Sequence, residues 1–303
     1  MSIVIQGVTK FYNDQKALDN VTFEVRTGEI VGFLGPNGAG KSTMMKIITG
    51  FIPASSGNVM VNGLAVDSDN PDVRKQIGYL PENNPLYPDM YVREYLEFVA
   101  SIYKTGIPRK KQIDSVTSLT GLTSEQNKKI GSLSKGYRQR VGLAQALIHN
   151  PAVLILDEAT TGLDPNQIVE IRNLIKEAGK EKTVMLSTHI MQEVEAICDR
   201  VIIIDKGIIV ANEEKSRIYS AISQTKQIVQ VEFDKAPDSG LLSQIRGINN
   251  VRSSKNNVFI LEAEGIEDIR PAIFRFAVDN NFTVLSLQKQ ESNLEDVFRK
   301  LTT

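Results

Sequence analysis

Four short runs of consecutive apolar residues recur in the first two thirds of the chain. They are EIVGFLG at 29–35, AVLILD at 152–157, TVMLST at 183–188 and RVIIID at 200–205. Strands that are apolar at successive positions are covered on both faces, which is typical of parallel strands joined by crossover helices. The pattern therefore predicts an α/β core built on a parallel sheet.

Segments with other periodicities flank this core. IVIQGVTKFY at 3–12 and VTFEVRTG at 21–28 alternate apolar and polar residues, and NVMVNGLAV at 58–66 contains an Asn-Gly pair typical of a hairpin turn. These segments predict an antiparallel β subdomain. Between about residues 88 and 150, apolar residues recur at three- and four-residue spacing, which predicts a helical subdomain inserted before the AVLILD strand.

The pattern changes again near residue 222. Short alternating segments follow in the order strand, helix, strand, strand, helix, strand, with helices expected at 239–246 and 266–280 and a last helix at 293–302. This order predicts a small ferredoxin-like α+β domain. We therefore expect two domains, 1–222 and 223–303, and interpret the second as an accessory or regulatory unit.

Composition narrows the class of protein. A chain of 303 residues with 41% hydrophobic residues can build a core in each of two domains. The 35 Lys and Arg nearly balance the 36 Asp and Glu, so the formal net charge is −1. This balance does not attract polyanions, and no nucleic-acid partner is expected. The single cysteine, Cys198, and the absence of any apolar run near the ~20 residues of a membrane span indicate a cytoplasmic chain.

A phosphate-binding loop is predicted at GPNGAGKS, residues 35–42, because it lies between a strand and a helical stretch, TMMKIITG. Its glycines let backbone N–H groups converge on phosphate oxygens, and the helix adds its positive end. Lys41 is expected to neutralise the β and γ phosphates and to act in catalysis, while the Ser42 hydroxyl takes a position on Mg²⁺. The nucleotide contacts predicted here are Gly35, Pro36, Asn37, Gly38, Ala39, Gly40, Lys41, Ser42 and Thr43.

An acidic pair follows the apolar run VLIL at 153–156. Asp157 is expected to hold Mg²⁺ through water, and Glu158 to polarise the water that attacks the γ-phosphate. By itself an acidic pair after a strand is usually a turn or a helix cap. Together with the upstream loop, it predicts a site for nucleotide hydrolysis.

A third motif, LSKGYRQRVGLAQALIHNP at 133–151, lies between these two. A hydroxyl residue and a glycine begin an amphipathic helix there, and such a helix start exposes N–H groups that suit a γ-phosphate. With this motif the chain resembles the ABC ATPase family, whose signature is L-S-G-G-Q. Leu133, Ser134 and Gly136 match the signature, whereas Lys135 and Tyr137 depart from it.

The resemblance implies a homodimer packed head to tail, with ATP and Mg²⁺ as cofactors. In such a dimer Ser134, Lys135 and Gly136 contact the nucleotide held by the other subunit's loop, and Asp164 in TTGLDP lies across the interface. It also implies a fold: an α/β phosphate-loop cassette with a RecA-like parallel sheet, an antiparallel β subdomain and a helical subdomain, followed by the ferredoxin-like domain.

Three further residues take roles from the resemblance. Tyr12 matches the aromatic residue that stacks on adenine, and His189 matches the histidine that senses the γ-phosphate. Glu82 stands where the family normally has a glutamine that reaches Mg²⁺ and the attacking water. A strand-end tyrosine and a structural histidine are the alternatives for Tyr12 and His189, and a structural role is equally open for Glu82.

The resemblance also implies a function. The chain is expected to be an ATPase that drives separately encoded transmembrane permease subunits from the inner face of the plasma membrane. It looks similar to the exporter branch, and within it to gliding-motility-associated ATP-binding subunits. A soluble ABC ATPase acting on ribosomes or nucleic acid is the alternative, although the chain has one cassette and no sustained heptads. A phosphotransferase of another phosphate-loop class leaves the LSKGY helix unexplained.

Overall fold

The computed structural model describes residues 1–67, 70–103, 105–217, 227–255, 257–263 and 268–290. Contacts divide the chain into two compact units, with the division between Glu214 and Lys215. The predicted boundary between residues 222 and 223 lies outside the described residues. The strands are β1 Ile3–Tyr12, β2 Gln15–Val25, β3 Ile30–Leu34, β4 Ser56–Val61, β5 Leu64–Ala65, β6 Ile77–Leu80, β7 Val153–Asp157, β8 Thr183–Thr188, β9 Arg200–Asp205, β10 Ile208–Glu214, β11 Gln227–Phe233, β12 Ile248–Lys255, β13 Val258–Ala263 and β14 Val284–Gln290. The helices are α1 Lys41–Ile48, α2 Pro71–Lys75, α3 Val92–Ile102, α4 Arg109–Leu119, α5 Lys135–Leu147, α6 Pro165–Gly179, α7 Met191–Ile197, α8 Ser239–Leu242 and α9 Arg270–Asp279.

The first unit is built on a six-stranded sheet in the order β10-β9-β3-β8-β7-β6. All neighbouring pairs are parallel except β10 and β9 at one edge. Every residue of β3, β7 and β8 is buried, as the continuous apolar runs predict. Strand β6 was not among the predicted strands, because it has only four residues and Gly78 and Tyr79 interrupt its apolar character.

An antiparallel sheet in the order β2-β1-β4-β5 packs against this core. Strands β4 and β5 form the predicted hairpin: Asn62 and Gly63, between them, both have left-handed backbones, with φ of 49° and 78°. Phe23 of β2 meets Phe33 of β3 with ring centroids 5.6 Å apart, within one apolar cluster that joins the two sheets. The two layers therefore form one cassette core.

Helices α3, α4 and α5 form the predicted helical subdomain. In α3 the buried residues Val92, Tyr95, Leu96 and Val99 recur at three- and four-residue spacing, which is the pattern that predicted the helices. Helix α7 of the core ends at Cys198, which is 2% exposed and lies close to Gly32 of β3: a Cβ on Gly32 would lie 3.1 Å from its Sγ.

The second unit has an antiparallel sheet in the order β12-β13-β11-β14. Its chain order of strands and helices is the predicted one, and its own core includes Phe233, Leu261 and Ile273. Helices α8 and α9 are shorter than predicted; after Ser243 the backbone continues with i→i−3 rather than i→i−4 hydrogen bonds. The helix predicted at 293–302 lies outside the described residues.

Candidate nucleotide-binding and catalytic site

The loop between β3 and α1 has a backbone that depends on glycine. Gly38 and Gly40 have φ of 81° and 107°, in the left-handed region. A Cβ on Gly40 would lie 2.7 Å from the Ala17 carbonyl oxygen, and one on Gly35 would lie 2.4 Å from a backbone oxygen of β9. Helix α1 begins at Lys41, inside the predicted loop, so its first N–H groups face the space above the loop.

The Lys41 side chain is folded over this loop. Its Nζ donates to the carbonyl oxygens of Gly35 at 2.9 Å and Pro36 at 3.2 Å, and it lies 3.8 Å from Glu158 Oε1. Burial lowers the pKa of the ammonium, although nearby carboxylates oppose that shift. A buried cation whose ammonium donates to two carbonyl oxygens at the base of the loop is well placed to neutralise phosphate.

Ser42 and Asp157 form the predicted pair of oxygen donors. The Ser42 hydroxyl donates to Asp157 Oδ1 at 3.1 Å, although 115 residues separate them in the chain. Asp157 ends β7 and is 1% exposed. The Ser187 hydroxyl at the end of β8 donates to the same carboxylate oxygen. Hydroxyl and carboxylate oxygens are ligands that Mg²⁺ prefers, so this donor set fits the ion.

Glu158 follows directly in a left-handed conformation, with φ of 53°. Its backbone N–H donates to the Ser187 hydroxyl at 3.1 Å, and its carboxylate accepts from the Thr161 hydroxyl at 2.6 Å. The His189 Nδ1 lies 2.9 Å from the same carboxylate and carries the proton, since the carboxylate can only accept. A non-glycine residue in this backbone region is unusual, and such strain is concentrated at functional sites.

The protonation state of Glu158 follows from these contacts. Burial raises the pKa of the carboxyl, but the hydrogen bonds from Thr161 and His189 and the nearby Lys41 ammonium outweigh it, so the pKa lies below its usual value. Glu158 is therefore ionised at neutral pH and can accept a hydrogen bond from a water molecule.

Lys41, Ser42, Glu158 and His189 face one open cleft of about 710 Å³, whereas Asp157 is absent from its described lining. Its lining includes the following predicted residues: Tyr12, Asn37, Gly38, Gly40, Lys41, Ser42, Thr43, Glu82, Glu158 and His189. Tyr12 is 45% exposed at the end of β1, and the Lys10 ammonium lies over its ring, 5.3 Å from the centroid. Gly35, Pro36 and Ala39 are absent from the described lining; the first two hold Lys41 through their carbonyls, and Ala39 is buried.

Two predicted phosphate-contact residues cap helices in this structure. Ser134 is the N-cap of α5, and its hydroxyl accepts from the Tyr137 N–H at 3.3 Å. Asp164 is the N-cap of α6, and its carboxylate accepts from the Gln167 N–H at 3.0 Å. Neither residue is part of the described lining of the 710 Å³ cleft.

The starts of α5 and α6 lie close together. A Cβ on Gly136 would lie 2.6 Å from the end of the Gln167 side chain, so the start of α5 lies directly against α6. The Lys135 ammonium lies beside Gly162, where a Cβ would be 2.1 Å from its Nζ. Lys135 also lines a cavity that reaches Glu158 and Thr161 of its own chain. The departure from the family signature thus places a cation next to the segment that follows Glu158.

Sequence reasoning missed Ser187 and Thr161. Each hydroxyl contacts one of the two acidic residues, and each could be suspected from its position: Ser187 stands two residues before His189, and Thr161 three residues after Glu158. Hydroxyl residues are too common at strand ends and in turns for that position alone to identify them.

A second groove of about 550 Å³ lies between the end of α1, the segment around β6, and α5. Among the described residues, the Tyr79 hydroxyl and His149 Nδ1 are buried there without a hydrogen-bond partner. His149 Nε2 lies 3.1 Å from the Ile77 carbonyl oxygen and its ring stacks on Tyr103 at 4.0 Å. Burial lowers the pKa of His149 to about 4, so the ring is neutral and Nδ1 is an acceptor. Phe51, also in the lining, is 73% exposed.

Five features meet at one end of the parallel sheet: a glycine-dependent loop, a lysine, a serine and two consecutive carboxylates. Together they define a phosphate-loop nucleoside triphosphatase. The family model described as ABC transporter matches residues 18–161. The chain is 34% identical to a linearmycin resistance ATP-binding protein of Bacillus subtilis, with 98% of the chain and 97% of that protein covered. It is 33% identical to the Nod factor export ATP-binding protein I of Neorhizobium galegae, with 100% and 85% covered. The chain belongs to the ABC transporter family of ATP-binding proteins.

Solved structures agree with this assignment. A dimeric ATP-binding cassette in a post-hydrolysis state, bound to ADP and Pi, superposes with a TM-score of 0.65 and 28% identity, covering 70% of this chain and 98% of that one. The protein is therefore an ATPase with the ABC cassette fold. No helix among the described residues is long and apolar enough to cross a membrane.

Proposed function

We propose that this protein is the ATP-hydrolysing subunit of an ABC exporter, peripheral on the inner face of the plasma membrane, where it drives separately encoded transmembrane permease subunits. The observation that carries the proposal is the Glu158 carboxylate held between Thr161 and His189 in the same cleft as Lys41. The names of the relatives, which refer to resistance and export, support the direction of transport. A role among gliding-motility-associated subunits is the finer form of this proposal and rests on the sequence resemblance alone.

In the proposed reaction Glu158 accepts a hydrogen bond from the attacking water, because it is ionised and directed into the cleft. His189 fixes the carboxylate and lies beside the position of the γ-phosphate. Lys41 leaves its carbonyl acceptors for phosphate oxygens, and Tyr12 stacks on the base. Ser42 and Glu82 would hold Mg²⁺, with Asp157 acting through water, and the ion would supply positive charge to the phosphates.

We also propose that two copies act head to tail, so that Ser134, Lys135, Gly136 and Asp164 complete the site of the partner subunit. Two observations support this arrangement. Ser134 and Asp164 do not belong to the described lining of their own cleft, and the superposing cassette of known structure is a dimer. The start of α5 then supplies N–H groups and positive dipole to a γ-phosphate.

Hydrolysis per subunit is therefore expected to rise with protein concentration until the dimer is saturated. Ser134→Glu places a negative charge at the start of α5, and like-charge contact with phosphate should lower the saturated rate at least about tenfold. ATP binding to a single chain should remain. Ser118→Glu, an exposed serine in α4, is the matched control. A rate that is strictly proportional to enzyme at high dilution, and insensitive to Ser134→Glu, contradicts the dimer.

The 550 Å³ groove is the proposed contact with the permease. Its exposed Phe51 offers apolar area, while the unpaired Tyr79 hydroxyl and His149 Nδ1 cost free energy until an occupant supplies hydrogen bonds. A polypeptide segment with an apolar side chain and a hydrogen-bond donor satisfies both requirements. The groove adjoins the nucleotide site, since Ser42, Glu82 and Asp157 line it as well.

Phe51→Asp is expected to remove a spanning protein that co-purifies from native membrane, while the ATPase activity of the isolated chain stays within about twofold, as for surface substitutions away from a site. Phe274→Asp, which alters a 56% exposed aromatic residue of the second unit, is the control. Co-purification of ribosomes or DNA in place of a membrane protein would overturn the transporter proposal.

The second unit remains a proposed accessory or regulatory domain. It has its own apolar core and sheet, and no group of metal-ligating side chains occurs among its described residues. These features support a structural or regulatory role rather than a second reaction centre.

A further inference from the structure

Two adjacent threonines follow the catalytic carboxylate and make different contacts. The Thr161 hydroxyl donates to Glu158 Oε2 at 2.6 Å. The hydroxyl of the preceding residue, Thr160, is turned the other way and donates to Glu193. Thr160 is 4% exposed, so its hydroxyl is fixed by that contact rather than by solvent. Two consecutive residues therefore tie this segment of backbone to Glu158 on one side and to Glu193 on the other.

The same arrangement occurs at the end of β8. His189 contacts the Glu158 carboxylate, and the hydroxyl of the preceding residue, Thr188, donates to Glu193 Oε2 at 2.6 Å. The Thr188 hydroxyl also accepts from the Ile190 N–H at 3.0 Å, so this one side chain connects the residues on both sides of His189. The backbone at His189 is thus held by a threonine that depends on Glu193.

Glu193 lies in the first turn of α7 and is only 3% exposed. A carboxylate is costly to bury unless its oxygens accept hydrogen bonds, and here both do, one from each threonine. Two short routes therefore run from Glu193 to Glu158: one through Thr160 and Thr161, the other through Thr188 and His189.

We propose that Glu193 is a positioning residue for hydrolysis, because it fixes both groups that hold the Glu158 carboxylate. This inference rests on the proposed roles of Glu158 and His189. When Glu193 is lost, both threonines lose their acceptor, and the Thr161 hydroxyl and the His189 ring gain freedom around a carboxylate that must be placed to within a fraction of an ångström. Nucleotide contacts made by the phosphate loop do not depend on these hydroxyls.

Glu193→Ala is therefore expected to lower kcat for ATP hydrolysis by about 10- to 100-fold, since misplacement by about 1 Å at a catalytic group has that effect. The KM for ATP should change less than about twofold, because the loss is confined to the transition state. Glu193→Gln keeps an acceptor for one threonine and a donor for the other, so it should recover much of the rate. Gln192→Ala, an exposed neighbour on α7, is the control.

Two threonine substitutions separate positioning from mere folding and test the proposal even if Glu193→Ala fails to fold. Thr160→Val and Thr188→Val each preserve shape and remove one hydroxyl. Each should lower kcat with an unchanged KM. In a His189→Ala background, Thr188→Val should cause no further loss of kcat, because its route ends at His189. In the same background Thr160→Val should still lower the residual kcat, because it acts through Thr161.

The inference is wrong if Glu193→Ala keeps the wild-type kcat, or if Thr188→Val lowers the rate equally with and without His189. A variant whose KM rises and whose thermal stability falls, while the kcat of its folded fraction is unchanged, also contradicts the inference. Glu158→Gln distinguishes these outcomes from failure of the proposed site itself: it would hydrolyse ATP normally if the site were wrong, and would remain inactive if only the role of Glu193 were wrong.

Discussion

Glu158→Gln is expected to lower kcat for ATP hydrolysis by about 10²- to 10⁴-fold, because that is the usual contribution of a positioned general base. Glutamine has nearly the same shape, so it can still accept from Thr161 through its amide oxygen. It cannot take up the proton of the attacking water. The phosphate loop is untouched, so Mg-ATP should bind with an affinity close to that of the wild type.

The variant should therefore accumulate as an ATP-bound dimer under the proposed head-to-tail arrangement. Single-turnover hydrolysis and size-exclusion chromatography with Mg-ATP measure the two consequences separately. Glu181→Gln removes an exposed carboxylate outside the cleft and is the control. Turnover at the wild-type rate by Glu158→Gln would refute the assignment of the base.

Lys41→Ala is expected to weaken ATP binding itself by about 10- to 100-fold, since hydrogen bonds from a charged group contribute about 1.5–3 kcal/mol each. The ammonium is buried, donates to two carbonyl oxygens of the loop and lies 3.8 Å from Glu158. Hydrolysis at saturating ATP should fall as well, because the phosphates lose a cation that would stabilise the charge developing on them.

Equilibrium binding of a fluorescent ATP analogue measures the first effect. Lys46→Ala alters the last turn of the same helix, where Lys46 lines the 550 Å³ groove instead of the cleft, and should bind the analogue like the wild type. Unchanged affinity for Lys41→Ala would show that the folded lysine does not reach the phosphates.

The parts of the fold that the sequence predicts are those with a local signal. Continuous apolar runs marked β3, β7, β8 and β9, and the Asn-Gly pair marked the β4–β5 hairpin, because burial on two faces and a left-handed turn each demand a particular residue pattern. Strand β6 left no such signal. It is only four residues long, and it lies in the sheet because it pairs with β7.

Some residues of the candidate site can likewise be predicted from the sequence, and others cannot. Glycines, Lys41 and the Asp157–Glu158 pair are identifiable because phosphate binding needs those residue types at fixed spacing. Ser187 and Glu193 are not, since a serine at a strand end and a glutamate in a helix are ordinary residues until the fold brings them to the carboxylate and the threonines. Their importance arises from contacts between segments that no short pattern encodes.

Cys198 closes α7, five residues beyond Glu193, and is the only cysteine of the chain. Its thiol is shielded by β3, so a maleimide or disulfide reagent can react only while this corner of the core is open. The labelling rate of the native protein therefore measures how often α7 opens locally, and it needs no engineered probe. Comparing the labelling rate with and without nucleotide would show whether nucleotide in the cleft reduces the opening of this helix.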